Sequence, residues 1–392
     1  MFATNLTCAM CGASFPLAQK LLVCTKCGGV LVVEYDLNKL KRKSSRAVFL
    51  KCVRSLWRYR EFLPIEKDES IVSMGEGLTP LLRVHRYASA VGLSKLDLKL
   101  DYLNPTGSFK DRGTTVSVSK VRELQVSAVM DDSSGNAGSS LAAYCAAAGL
   151  ECTLYVPATA PREKLAQAKI YGAKILKIAG SRTDVASAAE NAWRTSGTYY
   201  ASHNLSPFFI EGMKTFAYEI AENLDWQLPD HVVFPVGGGV LLAGACRGFE
   251  ELLQIGWIER IPRLHCVQSK ACMPIVEAFR KGSLQIVPAT ERETIAGGIR
   301  ISNPARGAQV LRALQRTKGN VASVSDAAIL RHQRLLAGKE GIFAEPTSCA
   351  ALAGLEKLLR IGVISKHDSV VVALTGFGLK DVKSAELPSR IH

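Results

Sequence analysis

The feature that most constrains this fold is a regular alternation of strand-like and helix-like segments that begins near residue 96. Short runs rich in β-branched residues, such as Lys174–Ile178, predict strands, and longer segments such as the alanine-rich Asn136–Ala148 predict helices. Further strands are predicted at 97–103, 126–130, 152–156, 231–236, 263–268 and 369–375, and further helices at 108–124, 161–171, 211–224, 241–254, 325–339 and 346–361. This alternation predicts parallel sheets covered by helices, in an α/β chain of two or three domains at roughly 150 residues each.

Two Cys-x2-Cys-Gly segments begin at Cys8 and Cys24. Their spacing is typical of a zinc ribbon, and the glycines let the backbone turn so that its amides face the sulfur atoms. Four thiolates suit a closed tetrahedral site, hence structural zinc. The predicted metal ligands are Cys8, Cys11, Cys24 and Cys27. Reduced cysteines without a metal are the first alternative, and disulfides are the second.

The chain is basic, with 49 Lys and Arg against 35 Asp and Glu, a formal net charge of +14. Such a charge attracts nucleic acid, an anionic membrane or an anionic substrate. The densest run, at 39–46, lacks interleaved aromatic residues, so a solvated basic face is the expectation and nucleic acid is not an expected partner. No apolar run reaches the roughly 18 residues that a membrane helix needs. The odd count of 11 cysteines and a start unlike a signal peptide predict reduced thiols and a cytoplasmic protein.

Lys110 lies in the segment Asn-Pro-Thr-Gly-Ser-Phe-Lys-Asp-Arg-Gly, where a predicted strand ends and a helix begins near Ser108. The positive end of the helix dipole disfavours an ammonium group in a first helical turn, and burial would lower the lysine pKa further. A lysine of lowered pKa suits Schiff-base chemistry. The alternative is a surface lysine at the start of a helix.

Three further turns follow predicted strands and carry groups that could bind a ligand. The segment 132–138 has small hydroxyls, exposed amides and Asn136, and could hold an anion or serve as a helix cap. The glycine run at 237–239 has the form of a phosphate cradle but does not match the dinucleotide fingerprint. Thr375 places a hydroxyl at the carboxyl end of a strand, where α/β sheets bind ligands. An amine, two anion cradles and a hydroxyl together suit pyridoxal phosphate.

The chain resembles the fold-type II pyridoxal-phosphate enzymes and, within them, the threonine synthase family. The resemblance rests on segments 76–81, 104–113, 133–136, 211–215, 299–304, 345–346 and 374–381, the most specific being the lysine motif and Leu-Thr-Gly-x-Gly-Leu-Lys-Asp. It implies two three-layer α/β domains with a cleft between them, plus the small N-terminal zinc ribbon. The implied bounds are 1–36 for the ribbon, 37–73 for a helical connector, 74–115 with 205–385 for the large cofactor-binding domain, and 116–204 for a small inserted domain. A homodimer is implied because enzymes of this fold are commonly dimeric.

The resemblance also implies residue roles. Lys110 would bond the cofactor covalently and take protons from the substrate, Asn136 would bond the ring oxygen, and Thr375 would meet the ring nitrogen and leave it largely unprotonated. The amides of Gly237, Gly238, Gly239, Val240 and Leu241 would hold the cofactor phosphate. The residues implied to grip the substrate carboxylate are Ser133, Ser134, Gly135 and Ala137. The implied reaction converts O-phosphohomoserine and water to threonine and phosphate.

Two positions depart from the family pattern. Phe209 stands where an arginine is expected to bind the substrate phosphate, and Ala137 stands where a threonine is expected. The loss of a bidentate anion donor is not a neutral change. Lys214 is the predicted substitute, with Arg300 and Arg306 as alternatives.

These departures leave other reactions on the same cofactor open. One is a serine or threonine dehydratase, and another is β-replacement on O-phosphoserine, such as cysteine or cysteate synthesis. Segments 299–304 and 374–381 favour threonine synthesis. A function from another class, nucleic-acid binding through the ribbon and the basic stretch, would show a steep salt dependence.

Overall fold

A computed structural model describes residues 2–50, 53–180 and 182–386. Cys52 lies outside the described residues. The chain forms two compact units: unit 1 comprises residues 1–78 and 104–215, and unit 2 comprises residues 79–103 and 216–392. None of the helices in the described ranges is long and apolar enough to cross a membrane.

The elements follow the predicted alternation. The strands are β1 (Ala3–Cys8), β2 (Ser14–Pro16), β3 (Leu31–Tyr35), β4 (Leu81–Val84), β5 (Lys95–Lys99), β6 (Ala128–Asp131), β7 (Glu151–Pro157), β8 (Lys174–Ile178), β9 (Tyr199–Tyr200), β10 (His231–Pro235), β11 (Arg263–Ser269), β12 (Asn320–Val324) and β13 (Ser369–Ala373). The helices are α1 (Leu37–Lys43), α2 (Arg86–Ala90), α3 (Lys110–Glu123), α4 (Asn136–Ala148), α5 (Arg162–Ile170), α6 (Arg182–Ser196), α7 (Phe209–Asn223), α8 (Val240–Gln254), α9 (Pro274–Arg280), α10 (Gly307–Arg316), α11 (Asp326–Glu340), α12 (Pro346–Arg360) and α13 (Lys383–Glu386). These elements confirm the α/β class.

Unit 1 contains two sheets. The N-terminal sheet is antiparallel with the order β2-β1-β3. The second sheet is parallel with the order β8-β7-β6-β9. Its core includes Val129, Leu154 and Val156, which point inward from the two central strands. Between α1 and β4 the chain forms short 3₁₀ turns, the longest at Leu56–Phe62.

Unit 2 is built on a six-stranded sheet with the order β12-β11-β10-β13-β5-β4. All neighbours are parallel except β4, which runs antiparallel to β5. This edge strand precedes residue 96, where the predicted alternation begins, and was not predicted, whereas the strands within that alternation pair in parallel as expected. Only about ten residues connect β4 to β5, fewer than the dozen or more that a parallel crossover needs. The central strands are buried on both faces, as a sheet covered by helices requires.

The predicted strand at 97–103 ends earlier, at Lys99, and residues Asp101–Leu103 form a 3₁₀ turn. Buried polar contacts account for the change of backbone. Lys99 Nζ lies 2.6 Å from Glu219 Oε2, and the Thr79 hydroxyl donates to Asp101 Oδ1 at 2.7 Å. Both contacts lie within unit 2.

Candidate active site

The predicted zinc ligands Cys8, Cys11, Cys24 and Cys27 lie together. All four sulfur atoms are within 4.8 Å of one another, with separations of 3.5 Å between Cys8 and Cys27 and 3.7 Å between Cys11 and Cys24. Zinc–sulfur bonds of about 2.3 Å in a tetrahedron require sulfur atoms about 3.8 Å apart. The donor set and its spacing therefore fit a zinc ion.

The backbone of the ribbon supports this site in the way that the two glycines predict. Gly12 and Gly28 have φ angles of +72° and +71°, a conformation that favours glycine. Each turn also directs an amide at a sulfur atom: the N–H of Met10 donates to Cys8 Sγ at 3.4 Å, and that of Lys26 donates to Cys24 Sγ at the same distance. Such bonds stabilise thiolates.

The four thiols perturb each other's titration. Burial raises the pKa of Cys8, but hydrogen bonds from the backbone of Cys11 and Met10 and from neighbouring thiols outweigh it and lower that pKa to about 7. A backbone bond from Gly29 lowers the pKa of Cys27, yet the adjacent thiols raise it overall to about 12. Sulfur atoms this close cannot all ionise without a cation among them.

Lys110 is the first residue of α3 and is half-buried. The turn before it is held by the next side chain: Asp111 accepts hydrogen bonds from the amide of Thr106 at 2.7 Å and from the hydroxyl of Thr106 at 2.6 Å. Gly107, at a φ of +81°, lets the chain turn between them. Lys110 thus extends from a fixed turn, in the first helical turn as predicted.

Asp111 also connects α3 to α4. The hydroxyl of Ser140 donates to Asp111 Oδ1 at 2.6 Å and to Thr114 Oγ1 at 2.7 Å. Ser140 lies one turn beyond Asn136, the first residue of α4. Unit 1 therefore brings the first turns of α3 and α4 together.

The turn before α4 is compact. A Cβ atom on Gly138 would lie 2.1 Å from the carbonyl oxygen of Ser133, so the helix packs directly on its own entry turn. Ser133 and Ala137 are buried, whereas Ser134, Gly135 and Asn136 are partly exposed. The N-cap residue, Gly135, has no side chain with which to cap the first turn. The amides of that turn could therefore hold a carboxylate.

Phe209 packs against the lysine helix. Its ring atoms lie 2.5 Å and 2.6 Å from where a Cβ on Gly113 would be, and its ring centroid is 5.8 Å from Lys110 Nζ. The ring of Phe109 lies on the same ammonium, 5.0 Å away. The residue that replaces the expected arginine thus provides an apolar, π-rich wall beside Lys110.

Lys214, the predicted phosphate ligand, is fully buried. Its Nζ lies 2.6 Å from Glu211 Oε2, donates to the carbonyl of Phe62 at 3.0 Å and is 3.9 Å from the centroid of the Tyr35 ring. These partners give Lys214 a structural role, and its role toward substrate stays a prediction.

In unit 2 the glycine turn leaves no room for side chains. A Cβ on Gly237 would lie 2.8 Å from the carbonyl oxygen of Gly298, and one on Gly239 would lie 2.7 Å from Val310 Cγ2. Gly239 has a φ of +93°, and no side chain caps α8. Gly238, Val240 and Leu241 complete the turn. The first amides of α8 could therefore hold an anion, as the sequence predicts.

Thr375 is buried where β13 ends, and Ser348 of α12 fixes it. The oxygen atom of Ser348 accepts from the amides of Thr375 at 2.9 Å and Gly376 at 2.8 Å, and it lies 3.0 Å from the Thr375 hydroxyl. The neighbouring Thr347 accepts from the amide of Gly298 at 3.1 Å. Unit 2 therefore connects Thr375 to the glycine turn through α12 and Gly298.

The alternative phosphate ligands differ in exposure. Arg306 is fully buried, donates to Gln309 Oε1 at 2.9 Å, and its amide donates to the carbonyl of Gly238. The Arg300 side chain is 39% exposed and lies 3.9 Å from Glu291 Oε2. Of the two arginines, Arg300 is the more accessible to a ligand.

Sequence reasoning did not single out Asp111, Ser140 or Ser348. Asp111 lies inside the lysine motif, and its carboxylate next to a candidate Schiff-base lysine was the signal that could have identified it. Ser348 follows Glu345-Pro346, a strong start signal for a helix, but its contact with Thr375 spans 27 residues. No local pattern predicts that pairing.

Comparisons with known proteins agree with this geometry. A family model described as "Pyridoxal-phosphate dependent enzyme" matches residues 72–376. The threonine synthase of Methanocaldococcus jannaschii is 39% identical over 390 residues, covering 98% of this chain and 96% of that one. The threonine synthase of Methanosarcina acetivorans is 38% identical over 378 residues, with 96% and 92% covered. Among solved structures, processed threonine deaminase isoform 2 of Solanum lycopersicum has a TM-score of 0.68 at 19% identity, over 79% of this chain and 82% of that one, which supports the fold alone.

One assignment follows from the α/β architecture, the lysine at the start of α3 and the similarity to relatives over almost the whole chain. The chain belongs to the pyridoxal-phosphate-dependent enzyme family and, within it, to the threonine synthases.

Proposed function

We propose that the protein converts O-phosphohomoserine and water to L-threonine and phosphate. The observation that carries this proposal is Lys110 at the start of α3, held by Asp111 to its own entry turn and to α4. The relatives at 38% and 39% identity that are named threonine synthase support this choice among the reactions of the family.

The residues fit pyridoxal phosphate. We propose that Lys110 bonds its aldehyde carbon, that the amides of 237–241 hold its phosphate and that Thr375 meets its ring nitrogen, with Asn136 bonding the ring oxygen. The fit rests on the glycine turn, where a Cβ at Gly237 or Gly239 would collide with its neighbours. When bound, the cofactor withdraws electrons from the α carbon of an amino acid.

For the substrate, we propose that the first-turn amides of α4, with Ser133, Ser134, Gly135 and Ala137, hold the α-carboxylate. Lys110 then removes the α proton and later a β proton, because an amine freed at this position can act as a general base. The γ carbon–oxygen bond breaks to release phosphate, water adds its oxygen at the β carbon, and protons return to the γ and α carbons. Phe209 excludes water beside the amine. Arg300, the more exposed of the two alternative arginines, is a better candidate than buried Lys214 for the substrate phosphate.

We also propose a structural zinc ion bound by Cys8, Cys11, Cys24 and Cys27. The sulfur spacing of 3.5–3.7 Å in the two closest pairs and the amide bonds at 3.4 Å support it. The four thiolates leave no open position for substrate, so the ion stabilises the ribbon and takes no part in the reaction. The homodimer and the cytoplasmic location stay predictions.

The test is an assay of O-phosphohomoserine turnover in which phosphate and the amino-acid product are measured together. We expect phosphate and threonine in equal amounts, and a loss of about a thousandfold or more in Lys110→Ala. Lys339→Ala, at an exposed position in α11, is the matched lysine control. Turnover of serine or threonine to an oxo acid, or of O-phosphoserine with a sulfur nucleophile, in place of threonine formation would assign the site to another reaction.

A further inference from the structure

Two consecutive aromatic residues at the start of α7 lie in different surroundings. Phe208 is fully buried in the hydrophobic core of the ribbon, together with Leu6, Leu31 and Val33. That core also contains the metal-ligand candidates Cys8 and Cys24. The next ring, Phe209, packs on Gly113 and lies beside Lys110. Two residues joined by one peptide bond therefore contact the ribbon core and the lysine helix.

A single hydroxyl fixes the backbone of this pair. Ser206 Oγ accepts hydrogen bonds from the amides of Phe208 and Phe209, each at 3.2 Å. Ser206 is itself fully buried, and its amide donates to the carbonyl of Ser202 at 2.9 Å. With both amides bonded to one atom, the backbone from which the two rings extend is held in place.

A second contact ties the ribbon to the same helix. The hydroxyl of Tyr35, at the end of β3, donates to Glu211 Oε2 at 2.8 Å. Lys214, one turn further along α7, contacts both the Glu211 carboxylate and the face of the Tyr35 ring. These charged groups are fully buried, so displacement of the ribbon would leave an ion pair without one of its partners.

The side of α7 that faces α3 has no space for an additional side-chain atom at its glycine contacts. A Cβ on Gly212 would lie 1.8 Å from the carbonyl oxygen of Arg112, and the Phe209 ring fills the space where a Cβ on Gly113 would be. Backbone therefore packs on backbone between α7 and α3. Because packed interiors transmit displacement and do not absorb it, a shift of Phe209 must shift the first turns of α3.

From these contacts we infer that Phe208 and Phe209 are positioning residues that couple zinc binding in the ribbon to the placement of Lys110. The inference rests on the proposed cofactor and zinc sites, and it goes beyond the proposed reaction. A ribbon of this size depends on its metal to fold, so metal loss removes the ribbon side chains around Phe208 and leaves Lys120 of α3, whose Nζ lies 5.5 Å from the ring centroid. Phe209 then loses its fixed position, and Lys110 loses the wall beside it.

Coupling between two sites is reciprocal, which gives a test that needs no substrate. Zinc affinity is measured with a chromophoric chelator, with and without pyridoxal phosphate, and cofactor affinity is measured by absorbance on zinc-loaded and zinc-free protein. We expect zinc to tighten cofactor binding about fivefold or more, and the cofactor to tighten zinc binding by the same factor. Phe208→Leu should bring this factor close to one while both ligands still bind.

The matched control is Phe216→Leu, which truncates another buried aromatic residue on α7, in contact with Phe234 of unit 2. It should lower the thermal midpoint and leave the coupling factor within about twofold of wild type. Three results would each overturn the inference: zinc and cofactor bind independently in the wild type, the coupling factor is unchanged in Phe208→Leu, or the protein holds no zinc. Threonine formation is measured in a separate assay. A different reaction there would refute the proposed function but would not affect the inferred coupling between zinc and cofactor binding.

Discussion

At the scale of single residues, Gly113 is the position where the lysine helix tolerates least change. The Phe209 ring and the Phe209 carbonyl oxygen lie 2.5–2.6 Å from where an added Cβ would be, and one of these contacts is backbone. We expect Gly113→Ala to lower the free energy of unfolding by about 1–3 kcal/mol and to weaken cofactor binding. Urea denaturation and an absorbance titration measure the two effects.

The control for that prediction is Gly338→Ala. Gly338 lies on the exposed side of α11, with nothing within 4 Å of an added Cβ. Alanine there should stabilise the protein by up to about 1 kcal/mol, because it favours a helix more than glycine does. If both variants gave the same change, the contact between Gly113 and Phe209 would not be the cause.

Ser348 is the residue on which the orientation of Thr375 depends. Removal of its hydroxyl in Ser348→Ala leaves the buried amides of Thr375 and Gly376 without their acceptor, which costs about 1–3 kcal/mol. Because the Thr375 hydroxyl is proposed to meet the cofactor ring, we also expect weaker cofactor binding and a shifted absorbance maximum of the bound cofactor. Ser89→Ala, at an exposed position in α2, is the control. An unshifted spectrum in Ser348→Ala would argue against a role for this hydroxyl in placing Thr375.

At the scale of elements, one hydrogen-bonded chain runs across β12, β11 and β10 of the six-stranded sheet to Asp368, the residue before β13. The amide of Asn320 donates to His265 Nδ1 at 3.1 Å, so the proton of His265 is on Nε2 and points to His231 Nδ1 at 2.8 Å. His231 Nε2 in turn donates to Asp368 Oδ2 at 3.0 Å. The two bonds that end on an Nδ1 atom require neutral rings, because a proton added at either Nδ1 would face another N–H group.

This chain predicts a loss of stability in mild acid. Burial lowers the pKa of His231, and burial together with the adjacent His231 and Arg263 lowers the pKa of His265 to about 3. The unfolded chain takes up these protons near pH 6.5, well before the folded one does. The stabilisation is therefore complete above about pH 7 and is lost as the pH falls, at up to about 1.4 kcal/mol per pH unit for the proton of His265, and His231 acts in the same direction.

The measurement is the free energy of unfolding between about pH 7 and pH 5, above the range where most carboxylates titrate. His265→Gln keeps a donor toward His231 and removes the titration, so we expect a flatter pH dependence. His367→Gln changes an exposed histidine and should keep the wild-type slope. A slope unchanged in His265→Gln would show that other groups cause the acid sensitivity.

The sequence predicted the elements well where local residue patterns determine them. It predicted them poorly where contacts with distant parts of the chain determine them. Asn136–Ala148 and Lys174–Ile178 have the predicted bounds, since the first ends at Gly149 and the second is a compact β-branched run. The direction of β4 depended on a connection too short for a crossover, and β9, at two residues, has no periodic signal. The clustering of the four cysteines was predictable from spacing alone, whereas the contacts of Asp111 with Ser140 and of Ser348 with Thr375 join residues distant in sequence.

At the scale of the whole molecule, the chain leaves unit 1 after Leu78 and returns at Asn104. The residues predicted to serve one reaction are consequently divided between two compact units, and each unit holds its own set through contacts inside that unit. Unit 1 fixes the amine and the α4 turn through Asp111, and unit 2 fixes the glycine turn and Thr375 through α12. Local motifs identify the proposed site residues of each unit, but only tertiary contacts show which side chains hold those residues in place.

The net charge of +14 acts on the molecule as a whole and gives the last prediction. An excess of cations attracts a phosphorylated amino acid over distances comparable to the Debye length, about 8 Å at 0.15 M salt. Salt shortens this range, so we expect kcat/KM for O-phosphohomoserine to fall several-fold between about 0.02 M and 0.3 M potassium chloride. The value of kcat should change little, because steering acts before the substrate is bound. A kcat/KM that does not vary with salt would mean that capture of the phosphate depends on short-range contacts within the site, such as a direct bond from Arg300, and not on the charge of the protein.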